Sequence, residues 1–478
     1  MILNNGVNKS LMHKTIVWFR NDLRIADNDA LSDGIKSGAI LPIYIYDTNT
    51  PSELSLGAAS KVWLHHSLND LQQSFHGKLN LFIGNPLDII NQLVEKYKIK
   101  QVNWNGCYDK YQIKRDTQIK QSLTQQQIIV KSFNGSLLWE PWTILKADHT
   151  PYKVFTPYYR KGCLGSTKPR EPIITPTINE CLHTNESIAL NQLKLLPNHL
   201  WHLNLTKHWD ISEKAALKQL DNFIDNKIID YKIGRDVPAE GLTSLLSPYL
   251  HFGQISPHYI WYKVLAYGII NDSVDSFFSE LGWREFSYYL LYHFPTLYKD
   301  NWQVKFNQFP WQYNSHNLTA WQTGQTGIPI VDAGMRQLWQ TGYMHNRVRM
   351  IVASFLTKNL LIDWRYGAKW FLDTLFDADI ASNSASWQWV AGSGADAQPY
   401  FRIFNPVTQA EKFDNNGEYI KRYVPELKNL PVPYLFAPWL APSNILNQSN
   451  VVLGNTYPQP IVNLSESRLA ALAAFKQL

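Results

Sequence analysis

The chain is 478 residues long, more than one hydrophobic core usually organises, and carries a formal charge of +6. That surplus is uneven: 23 Lys and Arg stand against 16 Asp and Glu through residue 208, and 22 against 23 in the remainder. The second half is therefore not a uniformly cationic binder of polyanions, and a nucleic-acid contact there would need a local basic rim around a groove. Cys107, Cys163 and Cys181 form no CxxC pair, which excludes a disulfide framework and a cysteine-rich zinc site. With no apolar leader and no run of about 18 apolar residues, the expectation is a monomeric, metal-free protein of the reducing cytoplasm without membrane contact. The 18 tryptophans exceed what packing needs, so some should stack or face a ligand.

From Thr15 to Phe133 short apolar runs, TIVWF at 15–19, LPIYIY at 41–46, LNLFI at 79–83, QVNW at 101–104 and IIVKSF at 128–133, alternate with helix-like stretches near 57–76, 86–98 and 109–124. Such alternation predicts an α/β domain with a parallel, Rossmann-like sheet over 13–140. No GxGxxG or Walker-type loop accompanies it. Residues 141–208 contain Pro141, Pro151, Pro157, Pro169, Pro172, Pro176 and Pro197 with little periodicity and read as a connector. From 209 to 478 the apolar spacing is helical, strongest at 211–224, 256–270, 275–294, 330–340 and 347–364, which predicts a mostly all-α domain.

The densest chemistry lies in DADIASNSASWQW, Asp377 to Trp389, where two acids, an amide and two indoles fall within thirteen residues. Thirty residues upstream, YMHNRVRM places Asn346 and Met350 four apart, on one face of a predicted helix, beside Arg347 and Arg349. Amide, guanidinium, thioether and indole together can hold a flat polar ligand. In TSLLSPYL the hydroxyls of Thr243, Ser244 and Ser247 precede a Pro-started apolar stretch; they either gather round phosphates near a helix N-terminus or serve as an ordinary N-cap. Asn383, an amide that can donate or accept, suits a ring nitrogen whose protonation changes, and equally suits a local turn. Taken on spacing alone, Trp311, Trp364 and Trp387 are three core indoles.

VWFRNDLRIADNDAL at 17–31, WREF at 283–286, YMHNRVRM, DADIASN with SWQW, and PYFRIFNP at 399–406 together resemble the flavin-dependent photolyase and cryptochrome family, over Thr15 to about Pro460. The resemblance implies FAD in the helical domain, held by Tyr231, Thr243, Ser244, Leu245, Leu246, Ser247, Phe277, Arg349, Asp377, Asp379 and Asn383, with Asp377 paired to Arg349. Relatives usually carry a basic residue where Leu245 stands. It implies an electron-transfer chain Trp387, Trp364, Trp311 running from flavin to surface, its flanks QFPW, LLIDWR and SWQW matching as motifs.

For substrate DNA it implies Glu280, Trp283, Arg284, Asn346, Arg347, Met350 and Trp389, with Trp283 and Trp389 walling a flipped pyrimidine dimer and Glu280 and Asn346 reading its edge. Asn346 rather than histidine favours cyclobutane dimers over (6-4) photoproducts. The expected activity is class I type repair of cyclobutane pyrimidine dimers: excited reduced FAD lends an electron to the dimer, both bonds open, and the electron returns. Asp109 stands where folate-binding relatives carry glutamate, so a second chromophore such as methenyltetrahydrofolate is expected in the N-terminal domain, a surface acid being the other reading. The alternative function is a cryptochrome-like photoreceptor, against which stand Asn383 in place of aspartate and the short tail. A third, an NAD(P)H-dependent flavoenzyme, lacks a dinucleotide fingerprint.

Overall fold

The computed structural model describes residues 13–174, 177–178, 180–397 and 399–478; the N-terminal segment 1–12 and Pro176 of the connector lie outside the described residues. The five apolar runs form β1 (Thr15–Phe19), β2 (Ile40–Asp47), β3 (Asn80–Gly84), β4 (Gln101–Asn105) and β5 (Ile129–Phe133), all parallel in the order β3-β2-β1-β4-β5. β1 is buried along its whole length. Ile16 and Trp18 join the core of α3 (Pro86–Tyr97) and α4 (Lys110–Gln125), whereas Val17 and Phe19 join that of α1 (Asp29–Ser37) and α2 (Ala58–Ser74). Two covered faces and a side-chain period of two make such a strand read as an unbroken apolar run.

The second core layer does not stop at the sheet. It continues into the helical part, where α5 (Glu213–Asn226), α6 (Pro257–Ala266) and α7 (Asp272–His293) supply Phe223, Ile260 and Phe277. A separate core gathers α8 (Pro329–Thr341), α9 (Asn346–Ser354), α10 (Trp364–Thr374) and α11 (Ile380–Ala391). Polar contacts rivet the two halves. Arg24, fully buried, donates to the backbone oxygens of Gly135 and Gly253, and Trp63 Nε1 donates to Gln254 Oε1 at 2.7 Å. The α/β architecture with an attached helical region agrees with the expectation from sequence.

Two local readings change. The stretch 347–364 is not one helix: α9 ends at Ser354, a π-helical turn spans Phe355–Asn359, and Asp363 caps α10 by accepting the Arg365 N–H at 2.9 Å. The break is imposed from outside, since Leu361 sits at φ +52° with its carbonyl accepting Gln312 N–H at 2.8 Å. The proline-rich connector is also tied down, by a π-helical turn at Pro157–Cys163, a bridge between Cys181 and Ile40, and an ion pair from Arg170 to Asp27 at 2.6 Å.

Glu285 in α7 ties the end of the α/β domain to the helical half. Its Oε2 accepts the N–H groups of Leu138 (2.9 Å) and Trp139 (3.2 Å), and burial pushes its carboxyl up to about 7 against the opposing influence of Arg284 and those two bonds. An acid raised in the folded state contributes stability that is whole below the unfolded value near 4.5 and is lost as pH rises through about 7. Glu285→Gln keeps an acceptor oxygen and removes the titration. The variant should lose up to about 3 kcal/mol of the wild-type decline in stability across that window, measured as denaturant midpoint against pH.

Candidate flavin and substrate site

The two signature segments meet. Arg349, on α9, sends a bidentate fork to Asp377, Nη1 to Oδ1 at 3.0 Å and Nη2 to Oδ2 at 2.8 Å, and Ser247 donates its hydroxyl to Asp377 Oδ2 at 2.5 Å. Burial alone would raise the Asp377 carboxyl, but Arg349 and Ser247 outweigh it and hold the group below the ordinary aspartate value. Arg349 is anchored further by donating Nε–H to Met344 O at 2.7 Å and by lying over the Tyr343 ring, 5.3 Å from its centroid. Asp379 is the N-cap of α11 and accepts from Ser382 N–H at 2.8 Å.

The segment Thr243–Ser247 is not a side-chain N-cap. Leu246 occupies that position without a capping bond, and the Ser247 hydroxyl is taken by Asp377. Leu245 stands at φ +54°, in the left-handed region, followed by Leu246 at φ −88°, ψ −11°. Alternation of this kind turns successive N–H groups to one side and makes an anion-binding concavity from backbone. Within this turn the Leu246 N–H lies 3.4 Å from Ser244 Oγ, which accepts it. Tyr231 and Phe277 pack edge to face at 5.6 Å and both are buried, so they form a wall of the core rather than an open contact.

Asn383 and Trp387 lie one turn apart on α11 and both meet α10. Asn383 donates Nδ2–H to Ala368 O at 2.9 Å, and the Trp387 ring lies so close to Gly367 that a Cβ there would meet it at 2.1 Å. Only glycine admits the indole at that distance. Trp364, at the first turn of α10, is fully buried and donates Nε1–H to Asn301 at 2.8 Å, whereas Trp311 is half-buried against the same core. Trp387 and Trp364 are thus buried members of one core, and Trp311 is the half-buried one packed against it. Trp321, which had no motif, packs edge-on to Trp387 at 6.1 Å.

Of the residues expected to meet substrate DNA, Asn346 begins α9 exposed and Met350 lies one turn on, half-buried, where Arg347 Nη1–H reaches its Sδ at 3.9 Å. Arg347 also donates to Asp236 at 2.6 Å and lies 4.4 Å over the Phe413 ring. Glu280 is paired with Arg235 at 2.5 Å, Trp283 is stacked on Phe155, and Trp389 is half-buried on α11. Arg284 departs from the expectation. It donates to Ser136 O at 2.8 Å, lies over Tyr288, and lines a different cavity, because a backbone oxygen just ahead of the connector captures it. Arg235, Asp236, Phe155 and Phe413 carry no signal in the sequence: each partner lies 45 or more positions away, beyond any helical or strand period.

The cavity that Arg284 lines opens at the carboxyl ends of β1, β2 and β4, where strand order reverses, and reaches Asp379 on the helical side. Trp18, Arg20, Tyr46, Tyr108, Asp109 and Arg115 line it. Asp109 is no free surface acid. It caps α4 by accepting Gln112 N–H at 3.0 Å, and burial raises its carboxyl. Trp18 Nε1 and Arg20 Nε are buried there without a hydrogen-bond partner among the described residues.

Residues 15–176 match the family model for DNA photolyase, and 277–477 that for the FAD binding domain of DNA photolyase. A deoxyribodipyrimidine photo-lyase of Agrobacterium fabrum is 47% identical over 96% of this chain and 97% of its own. The chain belongs to the photolyase and cryptochrome family. Its likeness extends to Cryptochrome-2 of Arabidopsis thaliana, 36% identical over 95% of this chain and 77% of that protein. Among solved structures, a bacterial class III photolyase from Agrobacterium tumefaciens superposes with a TM-score of 0.94 at 45% identity, covering 99% of both chains. Among the described residues of this family member no helix is long and apolar enough to cross a membrane, no group of three or more His, Cys, Asp or Glu could hold a metal, and the three cysteines are unpaired.

Proposed function

We propose that the protein is a light-driven DNA lyase that repairs cyclobutane pyrimidine dimers with FAD. The observation that carries the reading is that Asn383 and Trp387 on α11 both meet α10, and that Trp387 and Trp364 share one core against which half-buried Trp311 packs, with the Arg349–Asp377 pair joining α9 to the segment before α11. The donor set suits the cofactor: a backbone concavity at 245–246 and hydroxyls at Thr243 and Ser244 for its phosphates, a half-buried guanidinium paired with a buried carboxylate and the Asn383 amide for the flavin edge. When bound and reduced, FAD supplies the light-driven electron that opens the dimer and takes it back.

The chain's own residues do the rest. Arg349 and Asp377 fix charge near the ring, Glu280 and Asn346 offer hydrogen bonds to the extruded bases, Trp283 and Trp389 stack on them, and Met350 adapts to their contour. Arg347 supplies the local cation that a near-neutral half needs. On this reading the domains are 13–140, 141–208 and 209–478, the protein works as a monomer in the cytoplasm, and it engages DNA through the helical domain. Similarity to the Agrobacterium structure favours the class III branch over the class I type expected from sequence.

The cavity at Asp109 supports a partly inserted second chromophore, a carbonyl-rich or acidic molecule such as a reduced folate, to which the orphaned Trp18 Nε1 and Arg20 Nε would donate. At about 180 Å³ the cavity is below the usual range of about 300–1,000 Å³, so only part of a folate enters unless Arg20 or Arg115 moves.

The likeness to Cryptochrome-2 supports a photoreceptor as the second reading. Light-dependent repair of dimer-containing DNA by purified, reduced protein separates the two, since a receptor returns no repaired base. Asn346→His with Met350→His tests the substrate choice. The pair replaces the edge-reading amide and the soft contact, so cyclobutane repair should fall at least roughly tenfold with flavin content and photoreduction unchanged. Wild-type repair by the double variant would make these residues packing and remove the case for dimer recognition.

A further inference from the structure

We propose that Phe155, from the proline-rich connector, is a positioning residue for substrate recognition: it holds the plane of Trp283 and couples it, through Asp396, to the helix that carries Trp389. The inference rests on reading Trp283 and Trp389 as the walls of a lesion pocket. Phe155 is buried and lies flat on Trp283, with ring centroids 3.8 Å apart and planes 10° from parallel. Aromatic pairs left to themselves prefer offset or edge-on arrangements with centroids about 4.5–7 Å apart. A closer, parallel pair is one that its surroundings impose.

Three neighbours impose it. Tyr159 lies parallel to Phe155 at 5.5 Å and 8°, and packs on Gly282, where a Cβ would meet its ring at 2.6 Å, so the residue before Trp283 must be glycine for the rings to seat. Phe286 stands edge-on to both Phe155 (6.0 Å, 64°) and Trp283 (5.9 Å, 70°). The π-helical turn Pro157–Cys163 comes directly after, a geometry frequent at functional sites. The Phe155 N–H donates to Asp396 Oδ2 at 3.0 Å, and Asp396 stands at φ +49° in the loop that leaves α11 a few residues after Trp389.

Trp283 remains partly exposed although one face is covered by Phe155. An indole pressed from behind cannot tilt away from a base that stacks on its open surface, and the ordering cost is met before DNA arrives. Without the ring at 155, Trp283 has room to rotate and stacking weakens.

The test measures binding, in the dark and at matched flavin content, of a duplex with one thymine dimer and of the same duplex undamaged. Phe155→Ala and the bulk-preserving Phe155→Leu should each weaken lesion binding roughly three- to tenfold, leaving undamaged-duplex affinity and flavin photoreduction unchanged. Phe155→Tyr, which retains a flat ring, should restore wild-type preference. Unchanged lesion binding by Phe155→Leu overturns the inference, as does equal loss on both duplexes, which signals damage to the fold. A wild-type protein without lesion preference overturns the substrate reading, and the inference with it.

Discussion

Asp377→Ala is expected to yield a protein that retains almost no FAD and unfolds at lower temperature. Among the described residues Asp377 is the only carboxylate that Arg349 meets, and Met344 O is the other hydrogen-bond partner of that half-buried guanidinium. Removing one member of a fully buried ion pair costs about 3–5 kcal/mol, an upper bound here because the stranded Arg349 keeps 23% of its side-chain exposure. That is a large share of the stability of a typical domain. Asp377→Asn keeps the shape and one acceptor, and should lose less of both properties. Because the Asp377 carboxyl lies below its ordinary value, the pair contributes fully above the ordinary aspartate range and is lost as pH falls through the folded-state value, so flavin release should accompany strong acidification. Flavin absorbance per protein after desalting, with thermal unfolding alongside, reads both effects. Full flavin and unchanged stability in Asp377→Ala would show that Arg349 is neutralised elsewhere and that the pair does not build the cofactor site.

The second large effect concerns the indoles. Trp311→Phe should nearly abolish photoreduction of oxidised flavin by external reductant, while repair by chemically reduced protein continues at the wild-type rate. Trp387 and Trp364 are buried in the core of α10 and α11, and of the three only Trp311 is half-exposed, on a segment joined to Leu361 by the Gln312 N–H. It is therefore the member from which an external donor can be reached, and phenylalanine preserves most of its packing without an oxidisable ring. Light-driven bleaching of the oxidised flavin band and single-turnover repair separate the two activities. Parallel loss of both would mean that Trp311 is a core residue whose removal disturbs the site.

Much of this protein is legible in its sequence, for a physical reason. Inner strands covered on both faces, such as β1, read as unbroken apolar runs, and helices that pack by one face announce themselves by period and by caps such as Asn28, Asn85, Ser212 and Asp379, so the α/β layer and the helical half are predictable. Family motifs point to the Arg349–Asp377 pair, and the two side chains do meet. Contacts between partners far apart along the chain are another matter. The break at 355–363, the left-handed Leu245, the capture of Arg284 by Ser136, the Arg235–Glu280 pair and the stack of Phe155 on Trp283 have no period and no motif. Each is set by the packing of segments whose approach is a property of the folded whole. The order of amino acids dictates which elements form and which chemical groups they carry; the fold dictates which of those groups face one another, because close contact between distant residues leaves no local signal along the chain.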